Sequence, residues 1–140
     1  MFWSKSKTDG AAVDGMAGKV AAEAEGLYRS GKMHCAEAVL AAVKNNFAPT
    51  VDDGVVRLAA GFGGGSGSGC LCGAVAGGTV ALGLALQDDK KRVMALTREL
   101  HVWFREQYGA TCCKVITRNG KGGCAILTGN VAGKVAELLS

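Results

Sequence analysis

The stretch from Leu71 to Leu86 most constrains what this chain can fold into: it carries no charge, and Gly73, Gly77, Ala81 and Ala85 recur within it at every fourth residue. Four-residue spacing lines these small side chains along one face of a helix, where a second backbone can approach closely. A membrane-spanning helix needs roughly 17 residues or more, and the stretch falls at the short edge of that range. It is therefore expected as a buried core helix, Cys70 to Gln87, with no membrane as partner. Aromatic residues make up only 6% of the chain against 22 glycines, so the core has to be closed by small side chains at short helix separations. A chain of 140 residues, 49% hydrophobic and 20% charged, supports one such core.

Around this helix the pattern predicts others. Residues 1–10 read as a flexible N-terminal arm and 11–140 as a single domain. Val13, Met16, Val20, Ala24, Leu27 and Tyr28 mark one face of a helix from Ala11 to Arg29, stopped at Gly31. A second helix is expected from Met33 to Phe47, with Ala36, Val39, Leu40 and Val43 inward and Pro49 beyond its end. Thr50 with Asp53 resembles a capping box for a short third helix through Val55, Val56, Leu58 and Ala59. Gly61 to Gly69 is expected to be a loop, since ordering glycine costs the most backbone entropy. Asp88 is the expected cap of a long helix to Tyr108, with Val93, Met94, Leu96, Leu100, Trp103 and Phe104 on its apolar side and Gly109 at its end. Thr111 is the expected cap of a short helix through Ile116; Arg118 to Gly123 reads as a loop, and Cys124 opens a last helix ending near Leu139. No segment alternates with period two. The expected fold is an all-α, single-domain bundle of about six or seven helices, with a glycine-rich loop before the central helix. Trp103 and Phe104 on a long amphipathic helix also suggest a homodimer.

Several functions are excluded on composition. The formal charge of +4 is modest and its basic residues are dispersed, and Lys90-Lys91-Arg92 reads as a solvated first turn, so nucleic acid is not an expected partner. The glycine-rich run lacks a Gly-Lys-Ser/Thr ending and the Gly-x-Gly-x-x-Gly register, so no nucleotide is expected. Met1 to Lys5 shows no secretory h-region, which makes the cytoplasm the expected compartment. There thiols are kept reduced, so six cysteines point to metal binding or catalysis before a structural disulfide framework.

Those cysteines are Cys35, Cys70, Cys72, Cys112, Cys113 and Cys124, and by the boundaries above each lies at or within the first turn of a helix. Unpaired amide N–H groups and the helix dipole there favour the thiolate, which is both nucleophile and metal ligand. The bland alternative is that the thiols are small apolar filler in a helical interaction domain. His34 beside Cys35 is read as a surface residue rather than a proton shuttle or ligand, His101 as partly buried packing, and Glu37 as a capping partner.

The ordered series Cys35-Ala-Glu-Ala-Val, Leu58-Ala-Ala-Gly-Phe-Gly-Gly-Gly, Cys72-Gly73-Ala74-Val75-Ala76-Gly77, Tyr108-Gly-Ala-Thr-Cys-Cys113 and Cys124 resembles the C-GCAxxG-C-C family. The resemblance implies a redox-active protein, with Cys35, Cys72, Cys113 and Cys124 as its four cysteines and Gly73, Ala74 and Gly77 as its signature. Gly73 and Gly77 become the candidate cofactor-contacting positions. Cys70 and Cys112 are neighbouring thiols that can stand in for Cys72 and Cys113.

Two chemistries stay open. In one, Cys72 and Cys113 or Cys124 make and break a disulfide as electrons pass to a redox partner protein; a bond within Cys112-Cys113 would be strained. In the other, Cys35, Cys72, Cys113 and Cys124 hold zinc or an iron–sulfur cluster, with Cys70 and Cys112 as alternates. The absence of Cys-x-x-Cys-His argues against haem.

Overall fold

The computed structural model describes residues 15–120 and 122–140. The expected arm and the start of the first helix, including Ala11 and Val13, lie outside them. Among the described residues there are six α-helices, α1 (Gly15–Arg29), α2 (Cys35–Phe47), α3 (Gly73–Ala85), α4 (Lys90–Tyr108), α5 (Cys113–Ile116) and α6 (Cys124–Leu139), a 3₁₀ helix (Asp53–Phe62), and no β-strand. The fold is all-α, as the absence of alternation requires, and no described helix is long and apolar enough to cross a membrane.

Capping chemistry sets several helix starts. The His34 amide donates to Glu37 Oε1 at 3.0 Å, so Glu37 closes the first turn of α2 as expected. The 3₁₀ helix begins two residues later than Thr50 suggests: Asp52 is its cap, its carboxylate accepting from the Gly54 amide at 2.7 Å. Asp52 wins because it directly precedes the helix, where its carboxylate reaches the amide two residues on. Similarly Asp89, not Asp88, caps α4 through the Arg92 amide at 3.0 Å, and Cys112, not Thr111, precedes α5.

Helix α3 is the packing centre, touching α2, α4, α6 and the 3₁₀ helix, while α1 lies on α6 and α2. The four-residue stripe explains this. A Cβ on Gly77 would fall 2.5 Å from the Ala36 carbonyl oxygen and 2.7 Å from its Cα, so α2 rides directly on the α3 backbone. On another face, a Cβ on Gly78 would meet Leu100 and Val135 at 3.0 and 3.1 Å. Leu40, Leu82, Leu100, Phe104 and six valines complete a fully buried interior.

Exposure divides the apolar side of the long helix. Trp103 and Phe104 are 5% and 0% exposed and fill this chain's own core, as their side of α4 requires. Met94, expected on that same side, is instead 59% exposed, and Leu58 of the 3₁₀ helix is 75% exposed. The glycine-rich run is also shorter as a loop than expected, since Gly61 and Phe62 complete the 3₁₀ helix. Beyond them Gly64, Gly65, Ser66, Gly67 and Gly69 all adopt positive φ, and the wide turn closes when the Cys70 amide donates to the Gly65 carbonyl at 3.1 Å.

Candidate functional site

Cys35 is the first residue of α2, Cys72 the residue before α3, Cys113 the first residue of α5 and Cys124 the first residue of α6. With Gly73, Ile116, Thr117, Leu127 and Thr128 they line one cavity of about 30 Å³. That is room for one or two water-sized groups.

Three local features bring them there. First, a Cβ on Gly73 would collide with Cys35 Sγ and lie 2.7 Å from the Phe62 carbonyl oxygen, so the Cys35 sulfur rests on the backbone next to Cys72. Second, Leu71 and Cys112 form an antiparallel bridge, with the Cys72 amide donating to Thr111 at 2.7 Å and the Cys113 amide to Cys70 at 3.0 Å. Alternation across that bridge sends Cys72 and Cys113 to one side and Cys112 to the other. Third, a Cβ on Gly65 would fall 2.6 Å from Cys113 Cβ, so the glycine turn backs the Cys113 segment at a distance only glycine allows.

The two alternates are elsewhere. Cys112 turns away and its thiol donates to the Gly69 carbonyl at 3.2 Å. Cys70 is exposed and ends the glycine turn rather than starting a helix, which corrects its expected placement. Gly73 lines the cavity, whereas Gly77 is spent on contact with Ala36 and does not. His34 is exposed and packs by its ring against Gly63, outside the cavity. His101 is half-buried with Nδ1 2.9 Å from the Thr97 carbonyl oxygen, in keeping with a packing role.

The electrostatics reverse one expectation. Burial pushes the Cys35 thiol up, and the charges Cys124 and Cys113 carry when ionised add to it. Burial likewise pushes Cys72 up to about 11. The Val75 and Ala74 amides do pull Cys72 downward, so the helix-start effect is present, but desolvation outweighs it. Helix position alone does not make these two sulfurs thiolates.

Two tyrosines join the site that sequence reasoning had not singled out. The Tyr28 hydroxyl is raised by burial and then by the charges of Cys124 and Cys35, and it is hydrogen-bonded to the Cys124 side chain. Tyr108 accepts from Asn130 Nδ2 at 3.1 Å; burial raises it, that bond lowers it, and the charge of Cys72 raises it again. In the sequence Tyr28 reads only as part of an apolar helix face.

Cys124 has a second aspect. It also lines an open groove of about 280 Å³ with Tyr108, Ile116, Ile126 and Asn130. It therefore stands in the wall between that groove and the closed cavity. The Thr128 hydroxyl, one turn along α6 from Cys124, also lines the cavity and is buried without a hydrogen-bond partner. All six cysteines are free thiols, and among the described residues no group of three or more His, Cys, Asp or Glu is arranged to hold a metal ion.

Comparison with known proteins bears on this geometry. A family model described as "Putative redox-active protein (C_GCAxxG_C_C)" matches residues 33–138. No curated protein and no solved structure matches the chain.

Proposed function

The chain belongs to the C_GCAxxG_C_C family, and from that premise we propose that its four cavity cysteines work as a thiol/disulfide centre exchanging two electrons with a redox partner protein. The observation that carries this reading is that cysteines from four separate helix starts, Cys35 to Cys124, line a single cavity. Cys124, which also faces the open groove, meets the partner. Its thiol loses a proton to water and attacks one sulfur of the partner's disulfide; the other partner sulfur leaves and takes up a proton. A second cavity cysteine then gives up its proton and attacks Cys124 in the mixed disulfide, releasing the remaining partner sulfur, which is protonated in turn. Two cavity thiols become a disulfide and the partner's disulfide becomes two thiols. The same steps run backwards when the partner is the reductant.

The test is a thiol count after equilibration with oxidised and reduced glutathione, with the bond mapped by peptide mass spectrometry. Six free thiols should fall to four, the lost pair coming from Cys35, Cys72, Cys113 and Cys124. Six persistent thiols would instead favour an interaction domain with incidental cysteines, and a bond through Cys70 or Cys112 would sink the choice of residues.

A second reading uses the same four sulfurs as ligands of zinc or an iron–sulfur cluster, which four thiolates suit chemically. It needs the four to converge on one point, whereas a disulfide needs only two to meet, and no group of three is so arranged among the described residues. For that reason it stands second. Visible absorption and metal content of anaerobically purified protein separate the two.

A further inference from the structure

We infer that Tyr28 is the positioning residue that singles out Cys124 as the sulfur through which electrons enter and leave, an inference resting on the thiol/disulfide reading above. Tyr28 lies in the last turn of α1, before residue 33 where the family match begins. The packing of α1 on α6 puts it beside the site. A Cβ on Gly129 would lie 2.9 Å from the Ala21 carbonyl oxygen, which marks where the two helices touch. From that contact Tyr28 is two turns further along α1, about 10 Å at 1.5 Å per residue, and Cys124 is about 7.5 Å back along α6. Gly129 against Ala21 and Cys124 against Tyr28 require the helices to run in opposite directions past this point, with the phenol at the first turn of α6.

There its hydroxyl is hydrogen-bonded to the Cys124 side chain and lies within electrostatic reach of Cys35 and Cys113. Tyr28 is half-buried, so solvent reaches part of its side chain. A hydroxyl hydrogen directed at sulfur stabilises the negative charge that Cys124 gains when it attacks or departs. Cys35 and Cys72 have burial working against that charge. The phenol thus separates an entry sulfur from interior ones. Packing alone would be met equally by phenylalanine, which lacks only the oxygen.

Tyr28→Phe tests this. Each cysteine's rate of alkylation by iodoacetamide, an uncharged reagent, is followed at neutral pH by peptide mass mapping. Loss of the donor should slow Cys124 about three- to tenfold: a tenfold smaller thiolate fraction is partly offset by higher intrinsic nucleophilicity, leaving roughly a threefold loss per decade. Cys70 and Cys113 should keep their rates. The equilibrium constant for disulfide formation against glutathione should rise by a similar factor, because the reduced state loses its stabilising bond. In a Cys124→Ala background, Tyr28→Phe should change nothing at the remaining cysteines.

An unchanged Cys124 rate, or equal slowing of every cysteine, overturns the assignment. Should the variant fold poorly by circular dichroism, the unaltered protein still decides: capping Cys124 with methyl methanethiosulfonate must alter the tyrosine near-ultraviolet signal, and an unaltered signal overturns it. A chain that forms no disulfide at all defeats the parent reading, while one that forms it identically with Phe at position 28 defeats only the role of Tyr28.

Discussion

The cavity has two flanks built from the same residue type for different reasons. On the inner flank, Gly73 and Gly77 have ordinary helical backbone and matter because they lack a side chain: α2 lies against α3 and Cys35 is delivered beside Cys72. On the outer flank, Gly64, Gly65, Gly67 and Gly69 hold positive φ, which lets the chain turn sharply beneath Cys113. The inner flank raises both its sulfurs and buries Cys72, with Cys35 half-buried beside it; the outer leaves Cys113 half-exposed, and Cys124 is half-exposed too. Glycine therefore sets close approach on one side and direction on the other, and the inner pair, Cys35 and Cys72, is the pair whose charge burial opposes.

The contrast predicts a ranking. Gly77→Leu should be the most damaging change, costing about 3 kcal/mol or more in denaturant unfolding, because the obstacle is the Ala36 backbone and cannot rotate away. A cost below about 1 kcal/mol would show that α2 and α3 are not held this closely. Gly65→Ala should follow at about 2–3 kcal/mol, combining a positive φ with contacts on Cys113 Cβ and the Cys70 amide. It should also change the reactivity of Cys113.

Alkali should come next. Because Cys72 in the fold is raised to about 11 from an ordinary 9.0, the folded state favours the neutral thiol. That stabilisation is complete below the unfolded value and is lost as pH rises through the folded one. Between pH 8 and pH 10 stability should fall by roughly 1–2 kcal/mol from this group, with Cys35 adding in the same direction. Cys72→Ala should flatten the slope; an unchanged slope would mean that the inner flank is wetter than its burial implies. Gly67→Ala meets open space and carries only the positive-φ penalty, about 1 kcal/mol. Cys70→Ser, on an exposed side chain outside the cavity, should stay within about 0.5 kcal/mol and leave the thiol count on oxidation falling by the same pair.

Much of this was legible in the residues. The Gly73, Gly77, Ala81 stripe marked the central helix and its close neighbour because periodicity is a local property, and five of six cysteines do stand at helix starts. Cys70 falls outside the helix because three positive-φ residues beyond Gly65, Ser66, Gly67 and Gly69, delay the start of α3. The sign of the Cys72 displacement was hidden for a deeper reason: helix ends are written locally, whereas desolvation depends on what the other helices cover. Tyr28 escaped likewise, since a tyrosine on an apolar face looks the same whether its hydroxyl meets water or sulfur. Met94 and Leu58 show the converse, apolar residues in register that nothing covers.

The antiparallel bridge between Leu71 and Cys112 carries a consequence for endurance. Two backbone hydrogen bonds clasp the Cys72 and Cys113 segments directly, without relying on any helix pair to keep them in step. Fraying of α1 or of the end of α6 would loosen the shell while that clasp stays shut. Hydrogen exchange should find the Cys72 and Cys113 amides among the last to open, so the wiring between these two sulfurs outlives the first stages of melting.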